Sequence, residues 1–340
     1  MPQPKIIVES KVPFLGVLKN HARVTYLDSD RITAEAVADA DALIVRTRTR
    51  CDEALLGGSR VRFVGTATIG TDHIDLPWCA AAGIRVANAP GCNAPAVAQY
   101  VFGSLMGLIN RNLRRYTIGV VGVGHVGSIV ARWARAMEME VLECDPPRDR
   151  AEGPSGRVAL PEICERADII TFHTPLTDSG PDATRYLADE KFFGSLRRAP
   201  IIINAARGPV VDNKAWVEAL DAGVCGAAVV DCWEGEPDIN RDLLDRAAVA
   251  TPHIAGYSRQ GKARASQAVL TALCESLGLP PLRIAEPVPS AVPDSITPGT
   301  ALHGYDPAHD THLLKNYPHE FERLRNEYPL RDELPERFSR

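Results

Sequence analysis

Thr117-Ile118-Gly119-Val120-Val121-Gly122-Val123-Gly124-His125-Val126-Gly127-Ser128 decides the fold. Its first five residues are β-branched or small, as in a strand buried on both faces. They run directly into a GxGxxG, and Ser128–Met137 then carries the apolar spacing of a helix. Six-residue glycine patterns are weak alone, but between a strand and a helix each glycine has a physical task. Gly122 makes the tight turn, Gly124 lets backbone approach a pyrophosphate, and Gly127 lets the helix pack closely on the strand. The helix N-terminus adds unpaired N–H groups and positive potential for phosphates. Gly122, Gly124, His125, Val126 and Gly127 are therefore predicted to bind a dinucleotide. Asp145, eighteen residues past Gly127 at the end of the next strand, is placed to accept from both ribose hydroxyls. An acid there repels a 2′-phosphate, so NAD is expected over NADP. Arg148 would favour that phosphate, but Pro146 and Pro147 are expected to direct the chain away before it.

Outward from this stretch the βα alternation continues. Strands are predicted at Glu140–Glu143, Ile169–His173, Ile201–Ala205, Ala227–Asp231 and Val249–Pro252. Helices are predicted between them at Pro161–Glu165, Asp189–Gly194, Asn213–Ala222 and Arg241–Ala247. Upstream, apolar runs at Lys5–Glu9, Arg23–Leu27, Ala42–Arg46, Val61–Gly65 and Ile84–Ala87 form a second βα series. This alternation implies an α/β protein with parallel sheets. Asn93–Asn110 reads as a nearly all-apolar helix of the kind buried between two domains. Gly261–Leu277 reads as a helix returning the chain to the first domain. The expected architecture is two doubly wound, Rossmann-like domains. Residues 94–256 form an NAD domain inserted in a discontinuous substrate domain of residues 1–93 and 257–279. Residues 280–340 form a C-terminal linker and small dimerisation segment.

Composition agrees with this plan. A chain of 340 residues with 45% hydrophobic and 24% charged residues is long enough for about two domains with cores of their own. The net charge is -5, and from Leu277 onward seven Lys and Arg face ten Asp and Glu, which argues against a nucleic-acid-binding tail or a polybasic membrane patch. Eight scattered cysteines without CxxC spacing read as reduced, mostly buried thiols, and no metal site is expected. With neither a secretory signal nor a membrane span evident, a cytoplasmic location is expected. Ten of 26 prolines lie beyond residue 279, and Pro280–Pro298 reads as an extended linker. Phe321, Leu324 and Tyr328 share one face of a helix expected over Pro318–Tyr328, which favours a docking segment over a disordered one.

The chemistry is read from strand ends. Arg207 lies just beyond Ile201–Ala205, Glu236 beyond Ala227–Asp231, and His253 at the end of Val249–Pro252. Open parallel sheets bind ligands outside the carboxyl ends of their strands, so these residues share an edge with the glycine loop. Thr174 and Asp231 point to that edge too, Asp231 toward a nicotinamide carboxamide. Oxidising a secondary alcohol needs a base such as histidine, a carboxylate to orient the ring, and an arginine to grip an adjacent substrate carboxylate. His125 and His173 are rival bases, but both are expected to line the cofactor, and His73 to be structural.

These residues resemble the D-isomer-specific 2-hydroxyacid dehydrogenase family. The resemblance is carried by Gly70–Asp75, the GxGxxG, His173–Leu176, Ile203–Gly208, Asp231–Pro237 and Thr251–Gly256, and spans roughly residues 60–260. It implies catalytic roles for Arg207, Glu236 and His253, and NAD contacts from Asp145, Thr174, Asp231 and Gly256. It also implies substrate contacts from Thr47, Thr68 and Tyr257. Finer likenesses at Phe63–Thr68, Ala89–Ala94, Cys144–Pro147, Gly261–Arg264 and Pro318–Tyr328 imply a small phosphorylated 2-hydroxy acid as substrate and a homodimer. Thr47 stands where serine is frequent, which keeps the hydroxyl, and the tail is short for that pattern. Arg46, Arg48 and Arg50, or Lys262 and Arg264, are candidate phosphate ligands. Two other readings stand beside this one: a dehydrogenase for another 2-hydroxy acid, such as phosphoglycerate or glycerate, and an NAD-sensing regulatory protein on the same scaffold.

Overall fold

A computed structural model of the chain describes residues 3–109, 112–153 and 155–338. The chain divides into two compact units, Met1–Asn93 with Ser258–Pro289, and Ala94–Tyr257 with Ser290–Arg340.

The first unit is built on strands β1 (Lys5–Glu9), β2 (Arg23–Leu27), β3 (Ala42–Val45), β4 (Phe63–Thr66) and β5 (Arg85–Ala87). All pair in parallel, in the order β2-β1-β3-β4-β5. The central strands β3 and β4 are buried throughout, which is why they read as uninterrupted apolar runs. The helix Arg259–Leu277 packs onto β4 so tightly that a Cβ on Gly65 would sit 2.4 Å from Val269.

The second unit contains β6 (Thr117–Val121), β7 (Glu140–Cys144), β8 (Ile169–Phe172), β9 (Ile201–Asn204), β10 (Ala227–Val230) and β11 (Val249–Ala250). Its sheet is also parallel, ordered β11-β10-β9-β8-β6-β7. The direction of winding reverses between β6 and β8, the switch point where doubly wound sheets bind dinucleotides. The long apolar helix runs over Ala94–Leu108 and is buried from Ala94 to Met106. Asn110, its expected last residue, lies outside the described residues.

The tail departs from the single predicted helix. Its described residues form three helices, Pro298–Gly304, Ala308–Asn316 and Phe321–Asn326, the last preceded by a 3-10 turn at Pro318–Glu320. The first was illegible because the seven residues from Pro298 to Gly304 carry no readable period. A local device builds it instead: Thr297 and Thr300 form a reciprocal capping box with Pro298 in the first turn. These helices are docked on the unit to which they belong. A Cβ on Gly103 would lie 2.3 Å from the Tyr305 carbonyl oxygen, so the first tail helix packs backbone-close on Ala94–Leu108. Gln99 donates to the Gly304 carbonyl at 2.5 Å and accepts from the Leu334 amide at 3.2 Å. Leu314 and Phe321, both fully buried, join the core beside β8–β10, and burying Phe321 contributes about 1.5–3 kcal/mol.

All eight cysteines are buried free thiols. Among the described residues no helix is long and apolar enough to cross a membrane.

Candidate active site

The strand order sets the predicted residues in a row along the carboxyl edge of the second sheet. From one end it reads Asp145 after β7, the Gly122–Gly127 loop after β6, Thr174 after β8, Arg207 after β9, Asp231 and Glu236 after β10, and His253 after β11. Gly256 and Tyr257 lie three and four residues beyond His253. Thr47 and Thr68 belong to the first unit, just beyond the adjacent strands β3 and β4. There the Thr68 hydroxyl lies 2.7 Å from that of Thr66.

At the nucleotide end two of the three glycines, Gly122 and Gly127, are required by the geometry of the chain itself, while a Cβ on Gly124 would meet nothing within 4 Å. Gly122 has φ +86°, and a Cβ there would meet the His173 carbonyl at 2.8 Å. A Cβ on Gly127 would lie 2.0 Å from the Gly122 oxygen. The helix His125–Ala136 starts at the loop, with His125 exposed. Asp145 accepts from the Val123 amide at 2.8 Å and caps the helix Pro146–Glu152 by accepting from the Arg148 amide at 3.1 Å. Pro146 and Pro147 therefore begin a helix, where a missing N–H costs nothing, and do not lead the chain away. Arg148 stays close by: it pairs with Glu152 at 2.7 Å and donates to the Val123 carbonyl at 2.5 Å. The Thr174 hydroxyl is buried with no partner of its own, which fits a donor reserved for a bound group.

The other end carries a hydrogen-bonded acid–imidazole pair. His253 Nδ1 lies 2.9 and 3.0 Å from the two Glu236 oxygens, and Glu236 Oε1 accepts from the Trp233 amide at 3.0 Å. Burial works against charge on both groups. For Glu236, attraction to His253 and Arg325 and the Trp233 amide outweigh burial, so its pKa is lowered. For His253 burial favours the neutral ring, but the Cys232 sulfur and the Glu236 carboxylate prevail and the pKa is raised well above the usual value. His173 differs: burial alone pushes it down to about 3. It is neutral near pH 7 and hydrogen-bonded to the Thr171 hydroxyl at 2.9 Å, so it is a poor rival base. Arg207 is half-buried and donates to the Ala206 carbonyl at 2.8 Å.

His253 has φ +57°, a conformation that side-chain-bearing residues adopt at a cost. Asp231, 1% exposed, over-determines it. One Asp231 oxygen accepts from the Thr251 hydroxyl and the Ile254 amide, both at 2.7 Å, and the other from the Ala255 amide at 3.0 Å. Asp231, Cys232 and His253 bring ligand-type atoms within 4.8 Å of one another. The bonds from the Thr251 hydroxyl and the Ile254 and Ala255 amides to Asp231 show that bracing of this loop accounts for the cluster.

Sequence reasoning missed Arg325. This tail residue is 8% exposed, lies 3.7 Å from Glu236 Oε2 and donates to the Tyr257 hydroxyl at 3.3 Å. One signal could have found it: Arg325 shares the docking face of the tail helix with Phe321 and Tyr328, four and three residues away. Of the candidate phosphate ligands, Arg50 pairs with Asp52 at 2.7 Å, and Arg264 is divided between the Cys92 carbonyl and Glu286.

Comparison with known proteins agrees with this geometry. Residues 98–255 match the D-isomer specific 2-hydroxyacid dehydrogenase, NAD binding domain family. Erythronate-4-phosphate dehydrogenase of Bacteroides thetaiotaomicron is 45% identical over 337 residues, covering 97% of each chain. The enzyme of that name from Edwardsiella ictaluri is 44% identical over 354 residues, 97% of this chain and 92% of its own. A D-lactate dehydrogenase of Aquifex aeolicus, crystallised with NAD and lactic acid, superposes with a TM-score of 0.69 at 25% identity, over 81% of this chain and 96% of its own. The fold is that of NAD-dependent 2-hydroxyacid dehydrogenases, and NAD is the nucleotide of the second unit. The chain belongs to the erythronate-4-phosphate dehydrogenase family, within the D-isomer-specific 2-hydroxyacid dehydrogenases.

Proposed function

We propose that the chain oxidises the C2 hydroxyl of 4-phospho-D-erythronate to the 2-oxo acid, a step of pyridoxal 5′-phosphate (vitamin B6) formation, as a cytoplasmic homodimer. The observation that carries the reaction type is the His253–Glu236 pair on the same sheet edge as the glycine loop. The substrate follows the relatives, which are 44–45% identical nearly end to end.

The glycine loop, Asp145, Thr174, Asp231 and Gly256 are the residues that would hold NAD, and the orphaned Thr174 hydroxyl supports this. Bound there, NAD would supply the acceptor for the hydride leaving C2. His253 takes the hydroxyl proton, and Glu236 stabilises the resulting imidazolium. Arg207 grips the C1 carboxylate, which fixes the carbon for transfer. Thr47, Thr68 and Tyr257 contact the rest of the substrate.

The deciding experiment follows NADH formation from phosphorylated and plain 2-hydroxy acids, with an added oxo-acid acceptor so that tightly held NADH cannot mask turnover. Preference for 4-phosphoerythronate is expected. Equal or better use of phosphoglycerate or glycerate would reassign the substrate, and peptide binding without turnover would favour a regulatory role.

Asp145 gives a cofactor prediction. Asp145→Ala should raise the KM for NAD and increase the NADP-to-NAD ratio of kcat/KM, since two acceptors for ribose hydroxyls and one negative charge are lost. The variant also loses a helix cap, worth about 0.5–2 kcal/mol. Stability loss alone leaves the cofactor ratio unchanged, so an unchanged ratio would remove Asp145 from the ribose role.

A further inference from the structure

We infer that Arg325, delivered by the C-terminal segment, is a positioning residue for the Glu236–His253 pair. The inference rests on His253 being the acid/base proposed above. A buried guanidinium is costly unless paired, and Arg325 is 8% exposed. It lies 3.7 Å from Glu236 Oε2 and donates to the Tyr257 hydroxyl at 3.3 Å. The Glu236 carboxylate is thereby held from three directions: the Trp233 amide at 3.0 Å, His253 Nδ1 at 2.9 Å, and Arg325. A carboxylate so fixed cannot rotate, and it sets the plane of the imidazole that must exchange a proton.

A second arginine of the segment braces the other side of His253. Arg331 donates to the Ile254 carbonyl at 3.2 Å, to the Ala255 carbonyl, and to the Ala96 carbonyl at 3.2 Å. It also stacks 4.4 Å from the centre of the Tyr305 ring. The tail thus grips both the partner of His253 and the backbone that follows it.

Charge gives Arg325 a signature that packing lacks. The charged or titratable groups influencing His253 and Glu236 are Cys232 and Asp231 at the end of β10, the two residues themselves, and Arg325 from the tail. Burial and Arg325 favour the neutral ring of His253, while Cys232 and Glu236 favour the charged one. Removing the Arg325 cation therefore strengthens the hold on the imidazolium, and higher pH is needed to free the base.

The test compares Arg325→Gln and Arg325→Lys with wild type and His253→Asn, measuring kcat and KM for oxidation against pH, NAD binding, and thermal melting. Arg325→Gln should lower kcat at neutral pH by about ten-fold or more and move the acidic limb of the profile to higher pH, with NAD binding intact. Arg325→Lys, which keeps the charge, should restore the limb while recovering kcat only partly. An unchanged kcat and limb in Arg325→Gln overturns the inference. If Arg325→Gln does not fold, Arg325→Lys decides: reduced kcat with NAD bound supports positioning, and wild-type kcat overturns it. Full activity in His253→Asn would instead sink the base assignment, so the two failures are distinguishable.

Discussion

His253→Asn is expected to lower kcat for oxidation on the order of 10³-fold while leaving NAD binding unchanged. The asparagine amide can still donate toward Glu236, but it cannot take a proton from the substrate hydroxyl, and general base catalysis of this kind is worth about 10²–10⁴-fold. The pH dependence of the wild-type enzyme follows from the same pair. Oxidation needs the neutral ring, and the pKa of His253 is raised well above its usual value against the effect of burial. Oxidation should therefore keep rising with pH beyond the range where an ordinary histidine has already titrated. Reduction of the oxo acid needs the protonated ring and should fade over that same range. Stopped-flow turnover and NAD titration of the variant check the first expectation, and pH profiles in both directions check the second. A variant retaining more than a tenth of wild-type kcat would remove His253 from the base role.

Gly208→Ala is expected to lower kcat by about 10²-fold without touching any group that reacts. Gly208 follows Arg207, and a Cβ on it would lie 2.0 Å from the Trp233 carbonyl oxygen and 2.6 Å from the Glu234 amide nitrogen. Both neighbours are backbone, so no side-chain rotation relieves the clash. Trp233 cannot retreat easily either: its indole donates to the Thr251 carbonyl at 2.9 Å, and its amide holds Glu236 at 3.0 Å. The substitution must separate Arg207 from the Trp233–Glu236 loop, and a displacement of about 1 Å near reacting groups can cost about 10²-fold. Overpacking of this kind also destabilises by about 1–3 kcal/mol. Both kcat and the melting temperature should fall. Gly194→Ala, where a Cβ meets nothing within 4 Å, is the silent control. Unchanged kcat in Gly208→Ala would show that this close approach has no part in holding the site.

The legible parts of the molecule were those with local causes. The strand Thr117–Val121 could be bounded to the residue because a β-branched run meets a glycine turn whose φ only glycine tolerates. Arg207, Glu236 and His253 were visible because each follows a recognisable strand and parallel sheets collect ligands at that edge. What stayed hidden depends on partners distant in sequence. No pattern around Asp231 announces that its carboxylate braces the loop bearing His253. The periodicity of Phe321, Leu324 and Tyr328 revealed that the tail docks, but not that Arg325 reaches Glu236 across 89 positions of the chain. The turn after Asp145 was misjudged because two prolines read equally as an exit and as a helix start, and only the side-chain cap from Asp145 separates the two.

The interleaving of the two units bears on how the chain is made. Strands β1–β5 leave the ribosome long before Arg259–Leu277, the helix that covers β4. Strands β6–β11 likewise precede Ala301, Leu314 and Phe321, which complete the second core. The common route for multidomain proteins, in which the first domain folds while the next is still being translated, is therefore closed to this one. The first core stays unfinished until Arg259–Leu277 has been made, after the whole of β6–β11, and in that interval its uncovered apolar sheet is a natural client for chaperones.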